Sequence, residues 1–224
     1  MDSKRIRQKV RDDYNQIAGD FSSTRQRQWK DFQRFYPYIK SKSSILDLGC
    51  GNGRLLLFLN ELGFGSYLGV DQSEGLLKQA RLQFPEMKFQ ESDMGKLKRG
   101  HQDKDIVFAI ASFHHLPPAD QLKALKTWRT HLKPGGVLMM TNWNLHQKKY
   151  RKRILQSVLA GYGFRGCLVP WKNEISRYYY AFTLRRLNKL LKKAGYQVIE
   201  NEYVSDGKSS SIFSAKNILS IATV

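Results

Sequence analysis

The sequence predicts an α/β fold in which a largely parallel sheet carries helices on both faces. A short apolar run over residues 44–48 leads into three glycines at alternate positions and then into an apolar helix, which is the pattern of a strand, a tight turn and a helix. Strand and helix patterns alternate regularly as far as residue 142, and this favours a parallel sheet. Two strand patterns joined by a short loop end the chain and predict an antiparallel pair at one edge.

A single domain accounts for the length of 224 residues, which is enough for a substantial core. We expect an N-terminal helical arm over residues 1–40, a ligand-binding core over 41–142, an insertion over 143–182, and a C-terminal helix with strands over 183–224. These boundaries follow the points at which the alternation of strand and helix begins, is interrupted and resumes.

The N-terminal arm is predicted to hold two helices. An apolar stripe with a basic opposite face predicts the first helix over residues 4–21, ending at Gly19 and Asp20. Residues 22–24 can cap the second helix, which runs from Arg25 through Phe35 and stops at Pro37. Because both helices precede the first core strand, we expect them to fold over the mouth of the ligand site and form one wall of it.

Alternating strands and helices are predicted for the core. The strands lie near residues 44–48, 66–71, 87–90, 105–111 and 136–142, and the helices lie near 53–62, 74–84 and 119–132. A final helix over 183–194, capped by Thr183 and closed by Gly195, precedes strands near 196–203 and 212–223.

The insertion over residues 143–182 is too long for an ordinary connection and shows no regular pattern. It combines basic and aromatic side chains, among them Lys148, Lys149, Arg151 and Tyr179. Such a mixture suits a single-stranded nucleic acid, because bases stack on rings while the phosphates meet Lys and Arg. The alternative is an aromatic mini-core under a solvated lid.

Charge is the most informative feature of the composition. The chain has 38 Lys and Arg against 19 Asp and Glu, a formal net charge of +19. This excess favours a polyanionic partner, although a solvated basic surface without a partner is the alternative. No apolar run approaches the length of a membrane span and no signal peptide precedes the core, so we expect no membrane association and a cytosolic location, with a nuclear location also compatible.

The glycine segment Asp47-x-Gly49-x-Gly51-x-Gly53 has the chemistry of a nucleotide-cofactor loop. Glycine permits positive φ and close approach of a ligand, and the helix that follows offers unpaired N–H groups. The spacing differs from the dinucleotide pattern G-x-G-x-x-G and resembles the first motif of class I S-adenosylmethionine-dependent methyltransferases. That resemblance implies S-adenosylmethionine as the cofactor and a Rossmann-like sheet of seven strands with an antiparallel C-terminal edge strand. A plain β–α turn is the alternative.

Residues that end parallel strands line the ligand site of an open α/β sheet. We expect Asp71 to accept hydrogen bonds from both ribose hydroxyls, and Asp93 to accept from the adenine amino group with the Met94 N–H at a ring nitrogen. A turn or N-cap role is the alternative for Asp93. The residues expected at the cofactor are Tyr14, Asp47, Gly49, Cys50, Gly51, Gly53, Asp71, Gln72, Asp93, Met94 and Ala111.

Metal binding is not expected. Adjacent side chains such as His114 and His115 seldom point at one ion, and no third ligand has zinc-site spacing. The two cysteines, Cys50 and Cys167, imply neither a disulfide framework nor a Cys-rich metal site. The strand that ends at residue 111 is not followed by the N/D-P-P-Y/F segment of amino-directed nucleic-acid methyltransferases or by the Pro-Cys pair of cytosine-C5 enzymes.

Segments outside the glycine motif resemble the tRNA wobble-uridine carboxymethyl methyltransferases over about residues 12–200. They are Tyr14 to Ala18, Phe21-Ser22 with Thr24-Arg25 and Trp29, His114-His115-Leu116, Leu132 to Gly136, Trp143 with Gln147, and Arg177-Tyr178-Tyr179. The resemblance implies esterification of 5-carboxymethyluridine in the anticodon of tRNA, and a small zinc-binding activator subunit of the kind that eukaryotic members use. The chain departs from the family at three places. Gln28 and Lys30 flank Trp29 where the family usually has prolines, Gln72 follows Asp71 where it has Arg, and Tyr180 follows Tyr179 where it commonly has His.

A carboxylate acceptor fits a site without an obvious base. Carboxylates are ionised at pH 7, so their methylation needs alignment and no proton removal. We hypothesise that Arg177 or Arg25 pairs with the carboxylate, while Tyr14 and Tyr178 shape the pocket. The alternatives are a structural ion pair for Arg25 and core packing for Tyr178. From the resemblance, His115 joins the catalytic group.

The expected substrate side consists of Trp29, Lys148, Lys149, Arg151 and Tyr179. Two other functions stay open at this point, because one fold hosts many acceptors. The first is a small-molecule methyltransferase acting on a metabolite or quinone, and the second is a non-catalytic RNA-binding protein that keeps the fold.

Overall fold

The computed structural model describes residues 2–97, 103–172 and 175–224. Its α-helices are α1 (Ser3–Gln16), α2 (Ala18–Ser23), α3 (Leu56–Leu62), α4 (Glu74–Gln83), α5 (Pro118–Arg129), α6 (Arg151–Leu159) and α7 (Leu184–Lys193). Its strands are β1 (Ser44–Leu48), β2 (Ser66–Asp71), β3 (Lys88–Glu91), β4 (Lys104–Ile110), β5 (Leu132–Trp143), β6 (Gly166–Trp171), β7 (Ile175–Tyr180), β8 (Gln197–Ser205), β9 (Lys208–Ser209) and β10 (Asn217–Thr223). Short 3₁₀ helices cover Lys30–Tyr38, Met94–Lys96, Phe113–His115 and Lys148–Tyr150.

The central sheet has the strand order β3-β2-β1-β4-β5-β10-β8-β9. Strands β3, β2, β1, β4 and β5 run parallel, and β10 lies antiparallel between β5 and β8. This arrangement confirms the predicted Rossmann-like α/β fold with an antiparallel edge. The strand order reverses at β1: β2 and β3 lie on one side of β1 in the sheet, and β4 and β5 lie on its other side. Ligands bind at such a switch point.

The predicted count of seven strands is wrong, because the described residues form an eight-stranded sheet. The additional strand is the two-residue β9, which pairs antiparallel with the end of β8. Asp206 and Gly207 form the turn between them with φ of 53° and 81°. An Asp-Gly pair with positive φ at both residues makes the tight hairpin turn that suits twisted strands.

Apolar layers cover both faces of the sheet. Trp128 of α5 and Leu191 of α7 belong to the cluster on one face, and Phe35 and Phe58 belong to the cluster on the other. Strand β1 is therefore buried on both sides, which explains why its sequence is a nearly continuous apolar run. None of the described helices is long and apolar enough to cross a membrane.

The N-terminal arm differs from the two long helices expected. Helix α1 ends at Gln16, α2 is a separate six-residue helix, and the nine residues Lys30–Tyr38 form a 3₁₀ helix that contains Pro37. Side chains three residues apart eclipse in a 3₁₀ helix, so Phe32 and Phe35 both reach the core from one side. The aromatic spacing was therefore that of a 3₁₀ helix, and the predicted α-helix through Arg25 was wrong.

The insertion is ordered into regular elements, which corrects the expectation of an irregular segment. It contains α6 and an antiparallel ribbon of β6 and β7, in which Gly166 pairs with Tyr180 and Trp171 pairs with Ile175. Leu145, Cys167 and Tyr179 lie in a small core beneath this ribbon. Strand β7 presents rings on both faces, so the alternation of apolar and polar residues that marks a strand was absent.

Candidate functional site

A cleft of about 840 Å³ lies at the carboxyl ends of β1, β2 and β4, beside the switch point of the sheet. Helices α1 and α2 form its outer wall, as expected for the arm. Of the residues predicted at the cofactor, those that line the cleft are Tyr14, Asp47, Gly49, Cys50, Gly51, Asp71, Gln72, Met94 and Ala111. Gly53 and Asp93 are not among the lining residues.

The glycine loop forms the floor of the cleft. Gly49, Gly51 and Gly53 have φ of 72°, 57° and 78°, a region that other residues rarely adopt. A Cβ placed on Gly49 would lie 2.4 Å from the Cβ of Ser112. The Ser112 hydroxyl donates a hydrogen bond of 2.7 Å to the Leu48 carbonyl, which holds the end of β4 against the loop. The close approach of these two segments therefore requires glycine at position 49.

Asp71 fastens the glycine loop to the end of β2. Its Oδ2 accepts a hydrogen bond of 2.9 Å from the Gly51 N–H, and its Oδ1 accepts one of 2.9 Å from the Ser73 N–H. Burial raises the pKa of the Asp71 carboxyl, and these backbone donors oppose that rise. Each carboxylate oxygen has capacity for a further hydrogen bond, so acceptance from ribose hydroxyls stays a prediction that this geometry permits.

Asp47 lies beneath the loop and is almost fully buried. Its Oδ2 accepts a hydrogen bond of 2.9 Å from the Tyr67 hydroxyl, whereas Oδ1 has no partner among the described residues. Burial raises the pKa of Asp47 to about 7, and the nearby charge of Asp71 contributes. The Nδ2 of Asn52, also at the cleft, likewise has no partner in the described part of the chain. These unpaired polar atoms suit a bound ligand with polar and cationic groups.

Asp93 has other partners. Its Oδ1 accepts a hydrogen bond of 2.8 Å from the Gly95 N–H and caps the short helix Met94–Lys96, while its Oδ2 pairs with the Arg7 Nε at 3.1 Å. The structure thus gives Asp93 the capping role that was the alternative reading. Contact of Asp93 with adenine stays a prediction, and Arg7 would share that carboxylate.

A chain of hydrogen bonds runs along the opposite wall of the cleft. Arg177 Nη1 donates to the Tyr14 hydroxyl at 3.2 Å, and that hydroxyl lies 3.0 Å from Nε2 of His115. His115 Nδ1 lies 2.6 Å from the Tyr178 carbonyl oxygen. A carbonyl can only accept, so we assign the proton of His115 to Nδ1, and Nε2 accepts from Tyr14.

His115 is held neutral. Burial lowers the pKa of its imidazole to about 3, the neighbouring Arg177 guanidinium contributes, and the Tyr178 carbonyl opposes the shift only in part. Both ring nitrogens are engaged in hydrogen bonds, so His115 fixes the direction of the Tyr14 hydroxyl, and its catalytic role stays a prediction. No group of three His, Cys, Asp or Glu in the described ranges is arranged to hold a metal ion.

Arg177 is 2% exposed and sits among four rings. Its guanidinium carbon lies 4.9 Å from the ring centroid of Trp171, 5.4 Å from that of Tyr179, 5.6 Å from that of Tyr14 and 5.8 Å from that of Trp143. No ion pair of the described residues involves Arg177, and its Nε has no hydrogen-bond partner there. Arg177 does not line the cleft, so it acts on the cleft through Tyr14.

Arg25 lines the cleft directly. Its guanidinium carbon lies 4.7 Å from the ring centroid of Phe21 and 5.5 Å from that of Trp171, and Nη1 donates to the Thr24 hydroxyl at 2.9 Å. Burial lowers the pKa of Arg25, and the charge of Arg177 contributes. The structural ion pair considered for Arg25 is not found among the described residues.

The other predicted substrate residues are only partly brought together. The Tyr178 ring lies on the other face of β7, where it packs with Ile6 and Val10, so only its carbonyl reaches His115. Tyr179 is buried and stacked on Trp143 at 5.0 Å, away from solvent. Trp29 and Lys149 line a second cavity beside the cleft, whereas Lys148 and Arg151 are exposed outside it.

Sequence reasoning missed Arg54. This residue lines both the cleft and the second cavity, and its guanidinium carbon lies 4.2 Å from the ring centroid of Trp29. Burial lowers the pKa of Arg54 to about 9, and the charge of Arg25 contributes. The available signal was a basic residue directly after the last loop glycine, at the start of an otherwise apolar run.

The fold, the glycine loop and the two acidic strand ends define an S-adenosylmethionine-dependent methyltransferase. Residues 21–201 match the methyltransferase domain family, and the chain belongs to that family. The cofactor is therefore S-adenosylmethionine, which supplies a methyl group on a positively charged sulfur. The unpaired oxygen of Asp47, the tethered carboxylate of Asp71 and the glycine loop fit that molecule, and the contact of Asp71 with the ribose stays a prediction.

Relatives of the chain carry different activities. An Encephalitozoon cuniculi protein, named as a methyltransferase without a stated substrate, is 30% identical over 192 residues, which are 84% of this chain and 87% of that protein. A tRNA (carboxymethyluridine(34)-5-O)-methyltransferase of Arabidopsis thaliana is 35% identical over 60% of this chain and 32% of its own length. A dTDP-3-amino-3,4,6-trideoxy-alpha-D-glucopyranose N,N-dimethyltransferase of Streptomyces venezuelae is 33% identical over 45% of this chain and 43% of its own length. This chain thus spans less than half of the last two relatives.

Solved structures show the same fold. A SAM-dependent methyltransferase of Methanosarcina mazei superposes with a TM-score of 0.72 at 21% identity, covering 85% of this chain and 96% of that one. A methyltransferase solved in complex with the Haloferax volcanii Trm112 methyltransferase activator superposes with a TM-score of 0.71 at 18% identity, covering 96% of both chains.

Proposed function

We propose that the chain transfers the methyl group to a carboxylate on a tRNA nucleoside, and that this carboxylate is the 5-carboxymethyl group of the wobble uridine. The observation that carries the proposal is a cleft lined by Arg25 and Arg54, which have no carboxylate partner among the described residues, while the acidic and histidine side chains of its lining are held by other contacts. These features of the cleft favour a carboxylate as the methyl acceptor. The resemblance to the tRNA wobble-uridine carboxymethyl methyltransferases favours 5-carboxymethyluridine as the nucleoside that carries it.

The titratable side chains that line the cleft are poor bases. His115 is neutral with both nitrogens engaged, Asp71 is tethered by backbone donors, and Asp47 lies below the loop. An acceptor that must lose a proton, such as a hydroxyl, would find no base here. A carboxylate is already ionised at neutral pH, so it needs only to be aligned.

Arginines supply the alignment. Arg25 faces the cleft and offers donors that a carboxylate can accept in pairs. Arg177 lies behind Tyr14 and fixes that hydroxyl by hydrogen bonding. We therefore assign the direct contact with the carboxylate to Arg25 and a positioning role to Arg177. A cationic amine acceptor would be repelled by the same arginines.

The macromolecular part of the proposal rests on charge and on relatives. The net charge of +19 favours a polyanion, and a relative of this chain is named for the carboxymethyluridine reaction. The small zinc-binding activator subunit belongs to the proposal as well, with support from the structural neighbour that was solved with a methyltransferase activator. A cytosolic location belongs to this proposal.

The test uses labelled S-adenosylmethionine and bulk tRNA from cells that lack this protein, followed by nucleoside digestion and mass spectrometry. Label on the methyl ester of 5-carboxymethyluridine supports the proposal, and we expect Arg25→Gln to reduce kcat/KM by about 100-fold because a charged hydrogen bond is lost. Arg185→Gln, an exposed position on α7, is the matched control and keeps full activity. If no label appears in tRNA although an activator is present and the cofactor is bound, the proposed function is overturned.

A second candidate is methylation of a small metabolite, which the Streptomyces relative favours. That protein is named for a reaction on a sugar nucleotide. The two candidates differ in the effect of salt, because a small acceptor makes few phosphate contacts. Non-catalytic RNA binding requires loss of the cofactor site, whereas Asp47, Asp71 and all three loop glycines are present.

A further inference from the structure

A second cavity of about 1290 Å³ lies beside the cofactor cleft, and we call it the basic groove. The cations that line it are Arg25, Arg27, Lys30, Arg54, Lys149 and Lys216. Among the described residues, Arg25 and Arg54 are the ones that line both the groove and the cleft.

The groove has an unbalanced positive charge. Its lining carboxylates are Asp31 and Asp206. Asp31 is buried and accepts from the Gly207 N–H and the Asn217 side chain at 2.7 Å each, while Asp206 pairs with Lys216 at 2.7 Å. The remaining five lining cations form no ion pair within the described residues. The groove therefore offers several uncompensated cations to a polyanion.

Aromatic rings lie among these cations. Trp29, Trp143 and Tyr150 line the groove, and the Lys149 ammonium lies 4.9 Å from the Tyr150 ring centroid. Rings beside Lys and Arg are the combination that binds single-stranded nucleic acid, because bases stack on the rings and phosphates meet the cations.

Arg54 stands at the passage between the two cavities. Its guanidinium rests on Trp29, beside Arg25 and without a carboxylate partner in the described ranges. Arg25 and Arg54 are both partly buried. Two neighbouring arginines in such a position repel each other and lose part of their hydration, and a bound anion between them relieves both costs. The position predicts an anion site through which a strand must pass when its nucleotide enters the cleft.

We propose that the basic groove holds the single-stranded RNA segment next to the target nucleotide, and that Arg54, stacked on Trp29, binds the phosphate nearest to the cleft. This inference rests on the proposed function, because it takes RNA as the substrate. The same anion site could be filled by the carboxylate of S-adenosylmethionine, and the experiment distinguishes the two sources.

The binding experiment measures the affinity of a fluorescent tRNA anticodon stem–loop for the protein as a function of salt. We expect Arg54→Gln to weaken binding by about 10-fold and to reduce the slope of log K against log salt by about 1, because one phosphate contact is lost. Lys149→Gln replaces an exposed lysine of the groove and should reduce the slope by a similar amount. Because an exposed lysine is not needed for folding, this variant tests the groove even if Arg54→Gln misfolds. Arg185→Gln on α7 is the matched control and leaves the slope unchanged.

Two further measurements identify the anion. Calorimetry with S-adenosylmethionine compares cofactor affinity in wild type and Arg54→Gln, and we expect any loss there to be much smaller than the loss of affinity for the stem–loop. For Lys149→Gln, which lines the groove and not the cleft, kcat/KM should fall for the stem–loop more than for the free 5-carboxymethyluridine nucleoside. Weaker cofactor binding with an unchanged RNA slope overturns the inference and assigns the site to the cofactor carboxylate. An unchanged slope in both groove variants overturns it too.

The experiments can contradict the groove inference and the proposed methyl transfer to tRNA independently of each other. If wild type transfers no methyl group to tRNA but its RNA binding depends on Arg54 and Lys149, the groove stands and the proposed function fails. If tRNA is methylated while neither variant changes binding, the proposed function stands and the groove inference fails.

Discussion

Gly49 is the residue at which the cofactor loop tolerates a side chain least. Its φ of 72° is unfavourable for other residues, and an added Cβ would lie 2.4 Å from the Cβ of Ser112. We expect Gly49→Ala to reduce the free energy of unfolding by about 2–4 kcal/mol and to weaken cofactor binding more than 10-fold, because the loop must move away from β4. Chemical denaturation and calorimetry with S-adenosylmethionine measure the two effects.

Gly63 provides the matched control for this prediction. It has the same φ of 72°, but a Cβ there would meet no atom within 4 Å. Gly63→Ala should therefore cost only the backbone term of about 1–2 kcal/mol and leave cofactor affinity unchanged. Equal losses of stability and affinity in the two variants would contradict the role assigned to the contact between Gly49 and Ser112.

Asp47 makes stability depend on pH. Its pKa is about 7 in the folded chain, because burial raises it from the ordinary value of 3.8. Between these two values the folded state holds a proton that the unfolded state has lost, so this group's contribution to stability falls as the pH rises from about 4 to about 7. Asp47→Asn should remove that dependence. Without cofactor, we expect its midpoint of thermal unfolding to exceed that of wild type by roughly 2–8 °C at pH 8, which corresponds to about 1–2 kcal/mol.

The same variant should bind S-adenosylmethionine at least 10-fold more weakly at pH 8, because the cationic part of the cofactor loses an ionised carboxylate. The difference between the thermal midpoints of wild type and variant should shrink as the pH falls from 7 and vanish below about pH 4, where Asp47 is protonated in both the folded and the unfolded chain. A constant difference between the two proteins from pH 5 to pH 8 would show that Asp47 does not titrate in this range.

The ribbon of β6 and β7 is fastened to the N-terminal arm at Asp20. This carboxylate accepts from the Trp171 Nε1–H at 2.8 Å and from the Lys172 ammonium at 2.6 Å. Trp171 then covers Phe21 and Arg177. The contact joins two elements that are about 150 positions apart in the chain and completes the wall in which Arg25 and Arg177 lie.

Asp20→Ala should loosen this wall without unfolding the protein. We expect faster hydrogen exchange in the described amides of β6 and β7 and about a 3–10-fold lower kcat/KM for tRNA, since Arg25 loses a fixed support. The thermal midpoint should be nearly unchanged, because an exposed ion pair contributes little to stability. Asp12→Ala removes the same charge from α1 at a site without contact to the ribbon, and exchange as fast in that control would contradict the assignment.

Local pattern explains which elements could be predicted. The strand, glycine turn and helix around residues 44–62 are encoded in consecutive residues, and Asp71 follows from the end of the next strand. Tyr14, His115 and Arg177 lie in three segments that are far apart in the chain. Their hydrogen bonds exist only in the folded protein, so no local sequence pattern could predict them. The 3₁₀ helix was missed because rings three residues apart also fit one face of an α-helix. The ribbon was missed because rings on both faces of β7 remove the alternation that marks a strand.

Charge and shape act together over the molecule as a whole. The net charge of +19 attracts any polyanion, and five cations that form no ion pair within the described residues line the basic groove, which opens beside the cleft. The cofactor site behaves differently, because its polar groups are buried and therefore weakly screened by salt. We therefore expect salt to weaken the binding of tRNA much more than the binding of S-adenosylmethionine.

We expect kcat/KM for tRNA to fall steeply with ionic strength while the KM for S-adenosylmethionine stays nearly constant. Arg25 is assigned to the carboxylate, which leaves Arg27, Lys30, Arg54 and Lys149 as groove cations without ion pairs in the described residues. If each of these four meets a phosphate, log(kcat/KM) should fall against log salt with a slope of about −3, because each neutralised phosphate contributes roughly −0.7 to −0.9. Steady-state kinetics from 50 to 300 mM salt, about a sixfold range, measure both quantities. The free 5-carboxymethyluridine nucleoside is the control substrate and should show almost no slope. A flat response with tRNA would mean that the excess charge has no part in substrate binding and would favour a small acceptor, whereas a steep response shared by the nucleoside would place the effect of salt within the cleft.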